Sequence, residues 1–350
     1  MKKFLFLSFL SVFLFSCSNS DSVSGTTTST TLRVQTYSVD DINFTSAKLV
    51  GVVTYGESAS KVGFCWGTSP NPVVSGLHNE VVNPGSDSFT SVLSPLLANT
   101  TYYVRAYAIG TNGTVYGSQI SFKTLNILFT IGGGLVDVDG TTYGSVVLNG
   151  KEWMNKNLEV STYSNGDVIP QVTDLTQWVN STTGAWCYYE NDTANGPIYG
   201  KLYNWYAVHD SRGLAPAGWH IPTDTEWSDL ATFLGGEIIA GSKLKEDSTT
   251  STWDVSTNYA TNQSGFTAVP AGTGYLNYHL APPVVPAAPD PTLADLFKGK
   301  TKVTYWWSST TTGSAASDIV WSRNVNSSSN QLVRNGVIKS SALSVRCVKD

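Results

Sequence analysis

Charge is scarce in this chain. Asp, Glu, Lys and Arg make up 13% of its 350 residues, 26 acidic against 21 basic, for a formal net charge of −5. Soluble domains ordinarily carry about twice that share. A nucleic-acid surface needs clustered Lys and Arg to displace phosphate counterions, so no nucleic-acid partner is expected. Four cysteines and four histidines are too few for a dense disulfide scaffold or a metal cluster. HExxH, GxSxG, P-loop and paired CxxC motifs are all missing. The only long apolar run is at the N-terminus, which excludes a chain of several membrane-spanning helices. Against these absences stand 41% hydrophobic residues, enough to exclude wholesale disorder, and a heavy load of 11 Trp, 17 Tyr and 13 Phe. At roughly 150 residues per domain the length suits about two domains.

The first segment reads as an address. Lys2 and Lys3 precede an apolar run from Phe4 to Phe15, too short to span about 30 Å of hydrocarbon but suited to a secretory signal. Leu14-Phe15-Ser16-Cys17 resembles the bacterial lipobox, which implies a signal peptide over residues 1–16 and lipidation of Cys17. An ordinary secretory signal cleaved a few residues later is the alternative. Cleavage before Cys17 takes the net charge from −5 to −7, because it removes two lysines and no acid. Two or three acyl chains would hold the protein on a membrane durably. Ser18 after Cys17 favours the outer membrane, so the expected location is the cell envelope. Residues 17–31 are Ser/Thr-rich and read as a flexible tether.

Residues 32–125 alternate apolar and polar positions, with turn signals every 8 to 12 residues. Ala47, Leu49, Gly51 and Val53 share one strand face, and Val62, Phe64 and Trp66 repeat the period. Tyr102, Val104, Ala106 and Ala108 do so again, and Asn112-Gly113 is expected to turn the chain into a strand around Tyr116 to Phe122. Leu96 followed by Tyr102 resembles the tyrosine corner of the fibronectin type III sandwich. An all-β, fibronectin type III-like spacer is therefore expected here, with Cys65 a free, half-buried thiol in mid-strand.

Residues 126–136 form a connector that contains three consecutive glycines, and ten of the eleven Trp lie beyond it. Asp137 to Tyr143 reads as a strand ending in a turn, and Asn149-Gly150 as a second turn. Tyr199, Leu202, Tyr203 and Tyr206 fall on one helical face, which predicts a helix. Thr223-Asp224-Thr225-Glu226 is a capping box opening a second helix that buries Trp227, Leu230, Ala231 and Leu234 and ends at Gly235-Gly236. Short strands follow around Gly265–Pro270, Tyr305–Ser308, Ile319–Arg323 and Leu343–Val348. Two helices and then strands predict an α+β domain.

Across residues 137–350 the landmarks resemble the Fibrobacter succinogenes major paralogous (FISUMP) domain. They are Asp137-Val138-Asp139-Gly140, Trp153-Met154-Asn155-Lys156-Asn157-Leu158, Gly184-Ala185-Trp186-Cys187-Tyr188-Tyr189 and Tyr199-Gly200-Lys201-Leu202-Tyr203-Asn204-Trp205. Gly218-Trp219-His220-Ile221-Pro222, Gly265-Phe266-Thr267-Ala268, Trp306-Trp307-Ser308-Ser309 and Ser344-Val345-Arg346-Cys347-Val348 complete the set. The resemblance implies a fold akin to the C-type lectin and sulfatase-modifying domains, on a secreted or lipid-anchored surface protein. Ala215 stands where many relatives carry cysteine, and the Pro-rich stretch Ala281 to Pro291 reads as an inserted loop. In an oxidising compartment a Cys187–Cys347 bridge would tie the domain's first strands to its last. If the closing cysteine instead pairs with the position now held by Ala215, both thiols are free.

No catalytic residues or cofactors are expected. His220 reads as a hydrogen-bonded structural residue rather than a ligand, and Glu190, Asp192 and Asp210 as loop carboxylates. Asp137 and Asp139 are weak metal candidates, a calcium loop being set against a plain turn. Trp178, Trp186, Tyr189, Asn191, Asp192, Trp253 and Tyr275 fall in loops and are the candidate ligand-binding residues, since exposed aromatic rings suit sugars or partner surfaces. The function expected is non-catalytic binding or adhesion to a glycan or protein ligand through the C-terminal domain. A hydrolase or modifying enzyme, and a structural envelope component, are the alternatives.

Overall fold

Alternation writes the first third of the molecule directly into strands. In the computed structural model, which describes residues 31–55, 59–81, 87–247, 252–254, 260–275, 292–313 and 318–350, it begins with eight. They are β1 (Arg33–Asp40), β2 (Ala47–Tyr55), β3 (Lys61–Gly67), β4 (Leu77–Val81), β5 (Ser88–Leu93), β6 (Thr101–Gly110), β7 (Gly113–Tyr116) and β8 (Ile120–Lys123). One antiparallel sheet runs β1-β2-β5; the other runs β4-β3-β6-β7, with β8 also on β6. Leu49, Phe64, Phe89, Val104 and Phe122 fill the space between them, and the Phe64 and Phe89 rings lie 5.1 Å apart. Gly51 is required there, because a Cβ would sit 2.4 Å from the Phe89 ring. Tyr102 Oη accepts the Leu97 N–H at 2.9 Å, tying the crossover to the sheet.

Two local readings shift. The turn after β6 occupies Thr111 and Asn112, so positive φ falls on Gly113 alone, and the strand beyond it divides into β7 and β8 around Gly117. Gly117 packs against Thr36, where a Cβ would come within 2.5 Å of the Thr36 nitrogen. Cys65 is fully rather than half-buried, and its thiol donates to the carbonyl of Pro72.

The C-terminal region is α+β. Its first strands are β9 (Thr130–Ile131), β10 (Leu135–Val136), β11 (Thr142–Tyr143), β12 (Ser145–Leu148) and β13 (Lys151–Met154). Next come α1 (Leu175–Val179), β14 (Trp186–Cys187), α2 (Gly196–Tyr199), β15 (Leu202–Tyr203), α3 (Trp205–Val208) and β16 (Trp219–His220). Then follow α4 (Asp224–Phe233), α5 (Glu237–Leu244), β17 (Ala271–Gly274), α6 (Leu293–Leu296) and β18 (Phe297–Lys300). The last strands are β19 (Val303–Thr311), β20 (Ile319–Asn326), β21 (Val333–Ile338) and β22 (Val348–Lys349). Five-stranded sheets run β16-β22-β13-β12-β9 and β18-β17-β19-β20-β21, while β10–β11 and β14–β15 are separate pairs.

The helix expected from Tyr199 to Tyr206 does not form. Gly200 takes φ 76° and ψ −165°, ending α2; Leu202 and Tyr203 then pair with Cys187 and Trp186, and Asn204 caps α3. The strand expected over Gly265–Pro270 lies instead at β17, because Gly265 and Thr267 hold positive φ. The stretch from Leu343 meets its neighbours through isolated bridges and single main-chain hydrogen bonds until β22. The inserted loop Ala281 to Pro291 lies outside the described residues.

Helix α4 forms as its sequence dictates. Thr223 and Glu226 cap each other reciprocally, and Gly235 N–H and Gly236 N–H return to the carbonyls of Thr232 and Ala231, a Schellman ending. Trp227 packs against Trp153 and Trp306, with ring centroids 5.1 and 5.7 Å away, and Phe266 closes the cluster. Beside it the buried Arg346 guanidinium donates to the carbonyls of Met154, Phe266 and Thr267 and to Asn157 Oδ1.

At the start of α4, the Glu226 carboxylate takes hydrogen bonds from the Thr223 amide at 2.9 Å, Lys151 Nζ at 2.8 Å and His220 Nε2 at 3.0 Å. His220 Nδ1 lies 2.7 Å from Asp350, so this histidine is the structural residue expected. Burial alone would raise the Glu226 pKa, but these donors outweigh it and hold it at about 2. A lowered carboxylate pKa contributes stability above the unfolded value of about 4.5, lost as pH falls through the folded value. Glu226→Gln is therefore expected to cost about 2–3 kcal/mol at pH 7 and nearly nothing at pH 2. Urea unfolding across pH 2 to 7 checks it; equal slopes against pH in both proteins would refute the assignment.

Candidate functional site

Where the chain passes from β9 to β10, three consecutive glycines replace side chains with backbone. Gly132 N–H donates to the Ser145 carbonyl at 3.0 Å, Gly133 N–H to Glu152 Oε1 at 2.6 Å and Gly134 N–H to Ser145 Oγ at 2.8 Å. The loop needs glycine: Gly134 has φ 67°, and a Cβ on Gly132 would lie 2.3 Å from Ser145 Oγ. Between this loop and the segment from Thr142 to Ser145 lies an open groove of about 520 Å³, which Asn155 also lines. Ile131 and Val136 stand exposed at its rim.

Tyr143 joins the groove to a second group of side chains behind it. Its hydroxyl donates to Asp137 Oδ2 at 2.7 Å and accepts the Glu159 N–H at 3.0 Å. Burial, reinforced by the Asp137 contact, pushes this phenol well above its usual pKa. Asp137 Oδ1 takes the Thr141 N–H, and Asp139 takes the Ser161 N–H. In their midst lies Lys201, only 4% exposed. Its Nζ donates to the Glu159 carbonyl at 2.6 Å and to Ser161 Oγ, and sits 4.2 Å over the Trp186 ring, with Tyr188 beyond. Burial lowers the Lys201 pKa, while Glu159, Asp139 and Asp137 pull it back up. The ammonium of Lys201 thus supplies the positive charge these carboxylates face, and Asp137 and Asp139 act as turn residues. Among the described residues no group of three or more His, Cys, Asp or Glu is placed to hold a metal.

The candidate ligand-binding rings do not gather on the surface. Trp178 is buried, stacked on buried Tyr275 at 5.0 Å, with its Nε1 donating to the Ser340 carbonyl. Trp186 donates to the Ile169 carbonyl and Trp253 to the Ala268 carbonyl, both buried. Tyr189 packs on Phe297 at 5.3 Å. Once each indole N–H has a carbonyl, the ring gains more by burial than by exposure. Asn191 is half-buried and donates to the Thr173 carbonyl, while exposed Asp192 caps the turn at Ala194. Asp210 is clamped by Arg212 at 2.8 and 2.9 Å. The Cys187–Cys347 bridge is not formed: both thiols are free and buried, in different hydrophobic clusters.

Asn155 and Lys201 were not singled out by their sequence surroundings. Each lies inside a landmark of the family resemblance, and that co-occurrence is the signal that would have found them.

The family model described as the Fibrobacter succinogenes major domain matches residues 146–349. No curated protein is significantly similar to the chain. Among solved structures, the short form of the sensor domain of the anti-sigma factor RsgI4 from Pseudobacteroides cellulosolvens aligns with 27% of this chain and 94% of its own. Its identity is 20% and its TM-score 0.22. A solution structure of the same sensor domain aligns at 18% identity and TM-score 0.22, over 27% of this chain and 76% of that one. Likenesses this low bear on neither fold nor function.

With two oxygen acceptors and an aromatic face on its three N–H groups, Lys201 has no free lone pair to offer. In native protein it is expected to resist reductive methylation while exposed Lys61 and Lys298 react, and to react fully in urea. Mass spectrometry of peptides reads the outcome; rapid native modification of Lys201 would show it to be accessible.

Proposed function

Because the chain belongs to the Fibrobacter succinogenes major domain family, we propose that it is a non-catalytic, lipid-anchored envelope protein whose C-terminal domain binds a glycan or protein ligand. The observation that carries this reading is the groove beside Gly132–Gly134, walled among the described residues by neutral side chains without a histidine, cysteine or carboxylate. Such walls suit recognition, and the Tyr143 and Ser145 hydroxyls among them are already engaged, Tyr143 with Asp137 and Ser145 with Glu152. Lys201 and its carboxylates brace the groove from behind through Tyr143. A C-type lectin-like ancestry fits a binding role, and the N-terminal β region serves as a fibronectin type III-like spacer. The tyrosine hydroxyl on the Leu97 amide favours that view.

Attachment runs through Cys17, which lies outside the described residues. Among those residues no helix is long and apolar enough to cross a membrane. Acylation at Cys17 supplies the anchor, and the outer membrane is the favoured site. Cys17→Ala is expected to move the protein from the membrane pellet to the soluble fraction; a variant that stays in the pellet without detergent removes the anchor from the proposal.

The binding role is tested with soluble Cys17→Ala protein on a glycan and matrix-protein array. Thr142→Trp places an indole in the groove from an exposed position and is expected to weaken any array ligand at least tenfold, leaving the unfolding midpoint unchanged. Undiminished binding by that variant would move the site elsewhere.

A further inference from the structure

The connector between the two regions is bound along most of its length. At the sandwich end, Thr124 N–H donates to the Thr100 carbonyl at 3.0 Å and Leu125 N–H to the Asn43 carbonyl at 3.1 Å. The Leu125 carbonyl takes the Asn99 N–H at 3.0 Å. One residue later the partners change sides. The Asn126 carbonyl accepts Gln263 Nε2 at 3.0 Å, and Leu128 N–H donates to the Gln263 carbonyl at 2.9 Å. Leu128 and Phe129 then pack on the cluster that holds Trp153, Trp227 and Phe266. Phe129 fits so closely that a Cβ on Gly265 would lie 2.8 Å from its ring.

A second contact joins the regions directly. Asn43, buried between β1 and β2, donates through Nδ2 to Asp247 Oδ2 beyond α5. Its carbonyl holds Leu125, and its Oδ1 accepts the Phe44 N–H at 2.8 Å. Sandwich, connector and C-terminal region therefore meet at one side chain. Linkers between independent domains are exposed and crossed by few contacts. Leu125, Leu128 and Phe129 are instead half-buried and bonded or packed. The bound stretch also runs straight into the groove, because β9 follows Phe129 and Gly132–Gly134 follow β9. β9 is two residues long and has a neighbour, β12, on one side only. A strand so short does not resist fraying unaided. What holds it are the glycine amides on Ser145 and Glu152 at one end and Leu128 and Phe129 at the other.

We infer that Leu125 to Phe129 form a strap through which the N-terminal β region holds the groove wall in place. The sandwich is then a brace for the groove as well as a spacer, and the two regions move as one body. Releasing the sandwich lets the strap swing, frays β9 and frees the amides of Gly132–Gly134. The inference concerns the wall and not its occupant. An array without a ligand leaves it standing, and its own failure leaves the groove as a site untouched.

The test uses the full Cys17→Ala chain, whose remaining cysteines, Cys65, Cys187 and Cys347, are buried and leave introduced thiols to be labelled alone. Spin labels at Thr90→Cys in β5 and Thr232→Cys in α4, both exposed positions, report the separation of the regions by double electron–electron resonance. One narrow distance distribution is expected. Two changes release the sandwich. Asn43→Asp keeps the acceptor for Phe44 but sets a carboxylate against Asp247, and a Gly-Gly-Ser-Gly insertion after exposed Ile127 uncouples the strap. Each is expected to broaden the distribution and to speed hydrogen exchange at Gly132–Gly134 at least tenfold, while amides in β19 and β20 keep their rates and show the fold intact. A broad distribution in the parent chain overturns the inference, as do variants no broader than the parent. Broadened distances with unchanged glycine exchange overturn it too, since the sandwich would then move without the groove wall.

Discussion

The C-terminal domain is organised around Arg346, a buried cation with no carboxylate partner among the described residues. Arg346 is fully enclosed, and its guanidinium spends its charge on three main-chain carbonyls and one amide oxygen. Those acceptors come from the end of β13, from the loop at Asn157 and from the loop at Phe266–Thr267. Asn157 extends the join, donating to the Tyr199 carbonyl and Ser344 Oγ and accepting the Trp306 indole. Burial pushes the guanidinium pKa down, yet arginine does not give up its proton in proteins, so the charge must be satisfied where it lies. A planar fork with five donors fixes direction as well as distance. The irregular segments around it, which have little regular pairing of their own, take their positions from that fork.

The same economy explains the aromatic load. Charge is scarce in the sequence, and half of the C-terminal tryptophans pack as rings whose polar tips are tied to carbonyl or amide oxygens, while Trp205 and Trp227 are held by packing alone. The indoles of Trp178, Trp186, Trp253, Trp306 and Trp307 each find such an oxygen. Rings anchored at one end and packed along their faces fill space and set orientation together.

What the sequence made legible was whatever is decided locally. The capping box at Thr223 and Glu226, the glycine stop after Leu234 and the alternation of β2, β3 and β6 depend on neighbours a few residues away, and all appear where expected. The spacing of Tyr199, Leu202, Tyr203 and Tyr206 mimicked a helix because periodicity does not register that Gly200 adopts a conformation closed to other residues. Exposure of Trp178 or Tyr275 depends on carbonyls about 160 residues off or on rings in another loop, which no local pattern encodes. The groove escaped notice for a related reason: three glycines look like a linker until the facing segment is known. Lys201 likewise reads as a surface lysine until Trp186 and Ser161 are placed around it.

β22 lies inside its sheet, with Val348 between Trp153 on one side and His220 on the other. The hairpin of β12 and β13 is complete 195 residues before that strand exists. Pairings this distant in sequence close slowly, since the loop entropy is spent before the contact forms. While the chain is being made, the sheet must wait with a gap at its centre and Trp153 unpaired. Loss of Val348 from its place would therefore open this sheet at its centre rather than fray it at an edge.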